Sequence, residues 1–385
     1  MSRLVALDVM LAEIPLRVTI KHASHERTAN TTLLVRVELA DGSVGWGEGL
    51  PREYVTGETP ASAWDDADRL QSLVGELLPD FATAAAATES ITFANDARQC
   101  LGNSVRCAAE LALLDAVGRS TRKPLTDYIV SLGGRPPQPV TYSAVLPAAS
   151  TARKAIYRAV RMRAFGMRHI KVKLALPGHD DAVTLARYGR WLGRRIQVAD
   201  ANEGWNPAEL PGKLALLARH GLTVCEQPIP HARIDELPRD DAGVAIMLDE
   251  SFCSQPDLDA ALAAGRARMF NVRLSKCGGI TRSLALVRNI EAASTPDRSL
   301  GMQLGCQVGE TAILSAAGRA VASCVPAFRF VEGSYDRFLV QQPLSREDIT
   351  FTRGGYGPVL DGPGLGITID EEAVAGVTKQ RKRFD

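Results

Sequence analysis

The N-terminal part of the chain alternates apolar and polar residues and then changes to a helical spacing. Period-two alternation is typical of strands with one buried face. It occurs in three segments, residues 4–16, 31–39 and 44–48. From about residue 60 to residue 122 the sequence is rich in alanine and leucine, and apolar residues recur at helical spacing. The pattern predicts an antiparallel meander followed by helices, and so an α+β domain over residues 1–130.

Short apolar runs and amphipathic stretches alternate after the glycine- and proline-rich linker at 133–137. Eight runs are predicted as strands: residues 140–146, 169–174, 196–199, 223–225, 244–248, 269–274, 301–304 and 328–331. Helical crossovers between such strands indicate an α/β fold. We predict a (β/α)8 barrel of the TIM type over residues 131–351, with a doubly wound open sheet as the competing layout. No Gly-x-Gly-x-x-Gly follows a strand, which argues against dinucleotide binding.

The C-terminal segment, residues 352–385, is predicted to return to the first domain. Residues 362–370 contain three glycines and then alternate, a pattern that predicts a tight turn into a final strand. We expect that strand to join the N-terminal domain.

The composition narrows the partners. A chain of 385 residues exceeds what one hydrophobic core supports, so two domains are expected. The 45 basic and 44 acidic side chains give a formal charge of +1, which favours neither nucleic acid nor a membrane surface. The sequence lacks a long apolar run and a signal-peptide core, and its seven cysteines lack Cys-x-x-Cys spacing. We therefore expect a cytoplasmic protein with reduced thiols, no zinc, and a small molecule as partner.

Two lysines stand two residues apart in an apolar strand. Alternation aims Lys171 and Lys173 at the same face of the sheet. Two cations side by side at a buried strand end repel each other and lose hydration, so we expect each ammonium to be pushed toward its neutral, basic form.

A charged residue also closes each of the next predicted strands, one strand-plus-helix unit apart. The series is Lys173, Asp200, Glu226, Asp249 and Lys276. In a barrel these strand ends form one ring around one cavity, where such folds keep their active sites. Three converging carboxylates require a cation, and hard oxygen ligands without histidine or thiolate favour Mg²⁺ or Mn²⁺. A divalent ion between two lysines predicts abstraction of a proton next to a carboxylate.

Five motifs carry a resemblance to a known family. They are Lys171-Val172-Lys173, Asp200-Ala201-Asn202-Glu203-Gly204-Trp205, Glu226-Gln227-Pro228, Asp249-Glu250-Ser251 and Lys276-Cys277-Gly278-Gly279. In order and spacing they resemble the enolase superfamily, and within it the muconate lactonizing enzyme subgroup. The resemblance covers nearly the whole chain. It implies an α+β capping domain over a modified (β/α)7β barrel, a Mg²⁺ cofactor and a homo-oligomer.

The resemblance also implies roles for individual residues. Asp200, Glu226 and Asp249 would hold the metal. Lys173 would be the acid/base on one face of the substrate, with Lys276 as its counterpart on the other. Lys171 would contact the substrate carboxylate and lower the pKa of Lys173, Glu250 would support Lys276, and Asn202 would lie among the substrate contacts.

The substrate-facing positions depart from the family pattern. The glutamate that many members carry after the seventh strand aligns with Gly309, so either Gln307 or Glu310 takes its place. After the eighth strand the chain has Glu332 and Asp336. These residues either bind a cation on the substrate or, for Asp336, pair with the adjacent arginine.

Two loops of the capping domain set specificity in related enzymes. They correspond here to residues 22–27 and 54–58, and Arg27 and Tyr54 are their candidate contacts. An arginine that reaches the pocket would suggest a second anionic group on the substrate.

The function predicted from the sequence is a Mg²⁺-dependent racemase or epimerase of an amino-acid-derived or other carboxylate. The alternatives share the half-reaction: a muconate-type cycloisomerase, or a syn-dehydratase of the o-succinylbenzoate synthase type. Two further classes stay open, a Schiff-base lysine aldolase without a metal and a barrel that binds a ligand with its catalytic set unused.

Overall fold

The computed structural model describes residues 2–21, 26–94, 96–239 and 241–385, without the side chains of residues 20, 21, 26 and 27. An antiparallel sheet opens the chain. Its first four strands are β1 (Ser2–Lys21), β2 (Glu26–Leu39), β3 (Val44–Gly49) and β4 (Leu77–Leu78). β1 and β2 pair as far as Lys21 and Glu26, so part of the segment predicted as a loop is strand.

Helices cover one face of this sheet. They are α1 (Glu53–Thr56), α2 (Pro60–Asp66), α3 (Phe81–Glu89), α4 (Asn103–Thr121) and α5 (Leu125–Ser131), with a 3-10 helix at Ala67–Leu73. α4 is buried along almost its whole length. It lies directly on β3, where a Cβ added to Gly47 would come within 1.8 Å of the Ala108 carbonyl oxygen. The glycines of β3 are therefore required by the close approach of this helix.

Eight parallel strands form the barrel sheet, in the order of the chain. They are β6 (Ala144–Leu146), β7 (Ile170–Lys173), β8 (Ile196–Asp200), β9 (Val224–Glu226), β10 (Ala245–Leu248), β11 (Met269–Val272), β12 (Gly301–Leu304) and β13 (Phe328–Val331). The Ser143 amide donates to the Val331 carbonyl oxygen at 2.7 Å, which joins the first edge to the last. The predicted α/β barrel with an α+β cap is confirmed, and the open doubly wound sheet is excluded.

Helices connect the barrel strands. They are α6 (Ala152–Phe165), α7 (Asp181–Leu192), α8 (Leu210–Arg219), α9 (Gln255–Ala264), α10 (Ile280–Ala293) and α11 (Ala312–Cys324). The crossover after β9 is a 3-10 helix, His231–Glu236, instead of an α-helix. Shorter 3-10 helices occupy Gly193–Arg195 and Pro207–Glu209. Among the described residues no helix is long and apolar enough to cross a membrane.

The remaining elements return the chain to its start. They are β5 (Val140–Thr141), which precedes the barrel, α12 (Asp336–Leu339), a 3-10 helix at Arg353–Gly355, β14 (Tyr356–Gly357), α13 (Glu371–Val377) and β15 (Thr378–Phe384). β5 pairs with β14, so the predicted strand at 140–146 is divided between two sheets. The strand that rejoins the first sheet is β15, antiparallel to β1. Residues 362–370, predicted as that strand, form only isolated bridges.

Two buried carboxylates of the capping domain bind the N-termini of barrel helices. Glu48 of β3 accepts hydrogen bonds from the backbone amides of Thr311 and Leu314, at the start of α11. Glu110 of α4 accepts from the amides of Ile280 and Thr281, at the start of α10. The first amides of a helix have no partner within it and favour a negative charge. These contacts hold the cap on the barrel.

Candidate active site

The strand register brings the predicted charged residues to one end of the barrel. Lys173 is opposite Asp200, and Asp200 is opposite Glu226. Asp249 follows β10, two residues beyond the partner of Glu226. All three carboxylates are buried, with 1% or less of their surface exposed. The charged residues that are spaced one strand-plus-helix unit apart in the sequence are therefore neighbours in the structure.

Lys171 bridges three carboxylates. Its Nζ lies 2.9 Å from Glu226 Oε2, 2.9 Å from Glu332 Oε1 and 3.5 Å from Asp200 Oδ2. Burial disfavours the charge, but Glu226, Glu332 and Asp200 outweigh it and raise the pKa of Lys171 well above its usual value. The expectation that both lysines are pushed toward the neutral form is wrong for Lys171, because carboxylates, and not a second lysine, dominate its surroundings.

Arg273 neutralises the other side of the carboxylate group. It follows β11, hydrogen-bonds to Asp249 Oδ2 and lies 3.8 Å from Glu226 Oε1. Burial alone would raise the pKa of Asp249, but Arg273 and Lys276 hold it below its usual value. Arg273 is a site residue that the strand-end series does not include. Period-two alternation along this segment would have indicated it. Arg273 stands two residues after Asn271, and the Asn271 amide donates to Glu226 Oε1 at 2.9 Å.

Asp200, Glu226 and Asp249 form a donor set of the kind that divalent ions prefer. Burial, reinforced by Asp200 and Glu332, raises the pKa of Glu226 to about 8 although Lys171 touches it. Burial of a carboxylate with a raised pKa favours either a proton or a cation beside it, and oxygen donors of this kind bind hard divalent ions. Within the described chain no three His, Cys, Asp or Glu residues already surround one metal position. The residues fit a hard metal ion by their chemistry and their proximity.

Lys173 lies at the rim of the same group. Its Nζ is 2.5 Å from Asn202 Oδ1 and 3.3 Å from Asp200 Oδ2. Burial would raise the pKa of Asp200, but Lys173 and Lys171 hold it well below its usual value. Asn202 has a left-handed backbone, with φ of 42°. Its amide also points at Glu250, with Nδ2 at 3.4 Å from Oε1.

Lys276 occupies the opposite side of the carboxylate group. It is fully buried, and its Nζ donates to the backbone oxygen of Asp249 at 2.6 Å and to Oδ1 of the same residue at 2.8 Å. The Glu250 carboxylate, predicted to support Lys276, instead faces Asn202. The carboxylate that contacts Lys276 is therefore that of Asp249.

A narrow cavity opens beside these groups at the ends of β12 and β13. Its wall includes Gln307, Glu310 and Glu332. Gln307 is 3% exposed, and neither of its amide atoms has a hydrogen-bond partner. A Cβ at Gly309 would lie 2.8 Å from Asn30 Nδ2, so a longer side chain there requires Asn30 to move. Both candidate replacements for a glutamate at Gly309 therefore line the cavity.

The carboxylates after the last strands have different surroundings. Glu332 is paired with Lys171. Burial raises the pKa of Glu310 well above its usual value, and it raises the pKa of Asp336 to about 7. Arg337 pairs with Asp348, so the predicted alternative of a pair between Asp336 and Arg337 is wrong.

Of the two predicted specificity loops, the one at residues 54–58 lies beside the candidate site. Tyr54 lies close enough to Arg273 to act on its pKa, and it packs against Val55 and two buried cysteines. Residues 22–25 and the side chain of Arg27 lie outside the described part of the chain.

Comparison with known proteins agrees with this geometry. An L-Lys-D/L-Arg epimerase from Methylococcus capsulatus is 29% identical over 87% of this chain and 90% of its own length. Muconate cycloisomerase 1 from Rhodococcus opacus is 26% identical over 98% of both chains. Among solved structures, a Cytophaga hutchinsonii dipeptide epimerase complexed with Mg and the dipeptide D-Ala-L-Val superposes over all of both chains, with a TM-score of 0.85 and 22% identity.

Two family models match consecutive parts of the chain. The N-terminal domain model of mandelate racemase / muconate lactonizing enzyme matches residues 5–129. The enolase C-terminal domain-like model matches residues 152–373. The chain therefore belongs to the mandelate racemase/muconate lactonizing enzyme family of the enolase superfamily.

Proposed function

We propose that the protein is a Mg²⁺-dependent racemase or epimerase of an amino-acid-derived carboxylate, with Mn²⁺ as an alternative ion. The observation that carries the proposal is the placement of Lys173 and Lys276. Lys173 ends strand β7 and Lys276 follows strand β11, and these two strands flank the three carboxylate-bearing strands on either side. A proton removed on one face can therefore be returned on the other.

The roles of the side chains follow from their contacts. A divalent ion held by Asp200, Glu226 and Asp249 would stabilise the charge that develops on the substrate carboxylate when the α-proton leaves. Lys173 Nζ, at the partly exposed rim, takes or gives the proton on its face. Lys276 Nζ does so on the other face.

The cavity beside Arg273 supports an amino-acid-derived substrate. Gln307 offers one donor and one acceptor, and both lack a partner. A peptide-type amide carries the complementary acceptor and donor. Several relatives are dipeptide epimerases or N-succinylamino acid racemases, which agrees with such a group.

Isotope exchange tests the proposal. Dipeptides and N-acylamino acids are incubated with the protein and Mg²⁺ in deuterated water. α-Deuteration with loss of optical activity is expected, and the exposed-lysine variant K154M should behave like the wild type. Absence of exchange with every member of such a panel would refute the proposal.

A muconate-type cycloisomerase is the second candidate, favoured by the end-to-end match with the Rhodococcus enzyme. Loss of the ultraviolet absorbance of cis,cis-muconate would identify it. A syn-dehydratase would instead form an alkene without racemising its substrate. A Schiff-base aldolase would form an imine that borohydride traps, and EDTA would not change its activity. The raised pKa of Lys171 argues against an imine at that residue.

A further inference from the structure

Arg98 joins the two domains next to the candidate site. It lies in the capping domain, in the loop before α4, and about a quarter of its side chain is exposed. Its guanidinium forms a two-pronged pair with Asp257 of α9, with Nε–Oδ1 at 3.0 Å and Nη2–Oδ2 at 2.9 Å. Planar pairs of this kind fix orientation as well as charge.

The remaining donors of Arg98 reach two backbone carbonyls, one from each domain. Nη1 donates to Val55 O at 2.9 Å, and Nη2 donates to Glu250 O at 2.8 Å. Nη2 also lies 3.4 Å from Cys253 Sγ. One side chain therefore binds the turn that carries Tyr54 and the peptide that follows Asp249.

Both of these segments face the candidate site. The Tyr54 segment, residues 53–57, places its tyrosine near Arg273, the partner of Asp249. The Glu250 peptide directly follows Asp249, whose backbone oxygen accepts from Lys276, and the Glu250 side chain faces Asn202. A change in the distance between the two segments would therefore shift groups that neighbour Asp249 and Arg273.

The Tyr54 segment has little stability of its own. α1 is only four residues long and has no side-chain hydrogen bond at its N-cap. A single turn of helix is unstable without tertiary contacts. Its position depends on contacts from elsewhere, among them the Arg98 bond to Val55 O, which continues to Asp257 and Glu250 of the barrel.

We propose that Arg98 is a positioning residue that sets the distance between the Tyr54 segment and the Glu250 peptide. It thereby fixes the surroundings of Asp249 and Arg273, so that its loss lowers substrate affinity, a consequence that rests on the proposed function. A second reading, in which Arg98 only fastens the cap to the barrel, predicts lower stability with unchanged substrate affinity.

A matched control separates the two readings. Arg282 of α10 pairs with Glu89 of α3 at 3.0 Å, so it also links barrel and cap by an arginine–carboxylate pair, but away from the Tyr54 segment. The variants are R98M, R98K and R282M. Lysine keeps the charge beside Asp257 and loses the planar fork.

The first measurement needs no substrate. Hydrogen–deuterium exchange of backbone amides in residues 53–57 and 250–254 is expected to rise about tenfold or more in R98M, as befits the loss of charge-assisted hydrogen bonds. R98K should give a smaller rise, and R282M none in these segments. Wild-type exchange in R98M or R98K would overturn the proposal, whether or not a substrate is known.

The second measurement uses a substrate found by isotope exchange. R98M is expected to raise KM about tenfold while kcat stays within about threefold of the wild type, with partial recovery in R98K. An equal loss of thermal stability in R98M and R282M with unchanged KM would overturn the positioning role. A wild-type protein without turnover would refute the proposed function alone, and the exchange measurement would still decide the role of Arg98.

Discussion

Glu110 should make the stability of the protein depend on pH in a measurable way. This carboxylate is 1% exposed and binds the first amides of α10. Burial raises its pKa from 4.5 to about 7, and the negative charge of Glu89 adds to the shift, although the bonds from Thr281 and Ile280 oppose it. We expect E110Q to remove this dependence.

The sign and size follow from linkage. A carboxyl with a raised pKa binds its proton more tightly in the folded state, so its contribution is fully present below the unfolded pKa and is lost as the pH rises through the folded value. For values of 4.5 and about 7, the contribution falls by about 2.5 kcal/mol between pH 5 and pH 8. Glutamine stays neutral at every pH. The free energy of unfolding of E110Q should therefore rise by about 2.5 kcal/mol relative to that of the wild type as the pH goes from 5 to 8.

Urea unfolding at pH 5, 6, 7 and 8 measures the effect. Other buried carboxylates, such as Glu58, titrate in both proteins and cancel in the difference. E291Q, at the exposed end of α10, controls for the loss of one charge. A difference between E110Q and the wild type that is constant within about 0.5 kcal/mol would refute the reasoning, because Glu110 would then be ionised throughout by the helix N-terminus.

Three further predictions concern the candidate site. K276M should abolish racemisation by at least about a thousandfold, yet retain deuterium exchange in the enantiomer whose proton faces Lys173, as shown by chiral chromatography with mass spectrometry. EDTA should remove exchange and Mg²⁺ should restore it, measured by proton NMR; persistence of exchange would exclude the metal. D181N should lower kcat about tenfold in steady-state assays. Asp181 accepts from the Ala175 amide and the Trp205 indole, each at 2.9 Å, and so holds the loops after Lys173 and Asp200. An unchanged kcat would exclude this role.

The barrel and its charged rim follow from sequence because they depend on one repeated unit. Five consecutive apolar runs of the second domain, the second to the sixth, close with a charged residue at the same end, and parallel pairing then brings those ends together. Lys173, Asp200 and Glu226 are accordingly consecutive partners in the sheet. Local pattern and global fold agree here, which is why the spacing was informative.

The partners of these residues do not follow from a repeat. Glu332 reaches Lys171 across 161 positions of the chain, and Arg98 reaches Asp257 across 159. The left-handed backbone of Asn202 and Gln227 is likewise fixed by packing, since neither residue is glycine. Such contacts are set by how the strands close and how the cap docks, and no local period reports them.

These long-range contacts give the two lysines of β7 different surroundings. Lys171 is 3% exposed and enclosed by three carboxylates that stabilise its charge, so it cannot give up a proton readily near neutral pH. Lys173 stands two residues further along the strand, where its side chain is 21% exposed and one of its two partners is the neutral amide of Asn202. The structure thus encloses Lys171 in carboxylates and leaves Lys173 at the partly exposed rim, which agrees with the proposed role of Lys173 as the acid/base. The difference arises from Glu332, which directly follows the last strand of the barrel. The surroundings of the two lysines therefore depend on closure of the whole sheet.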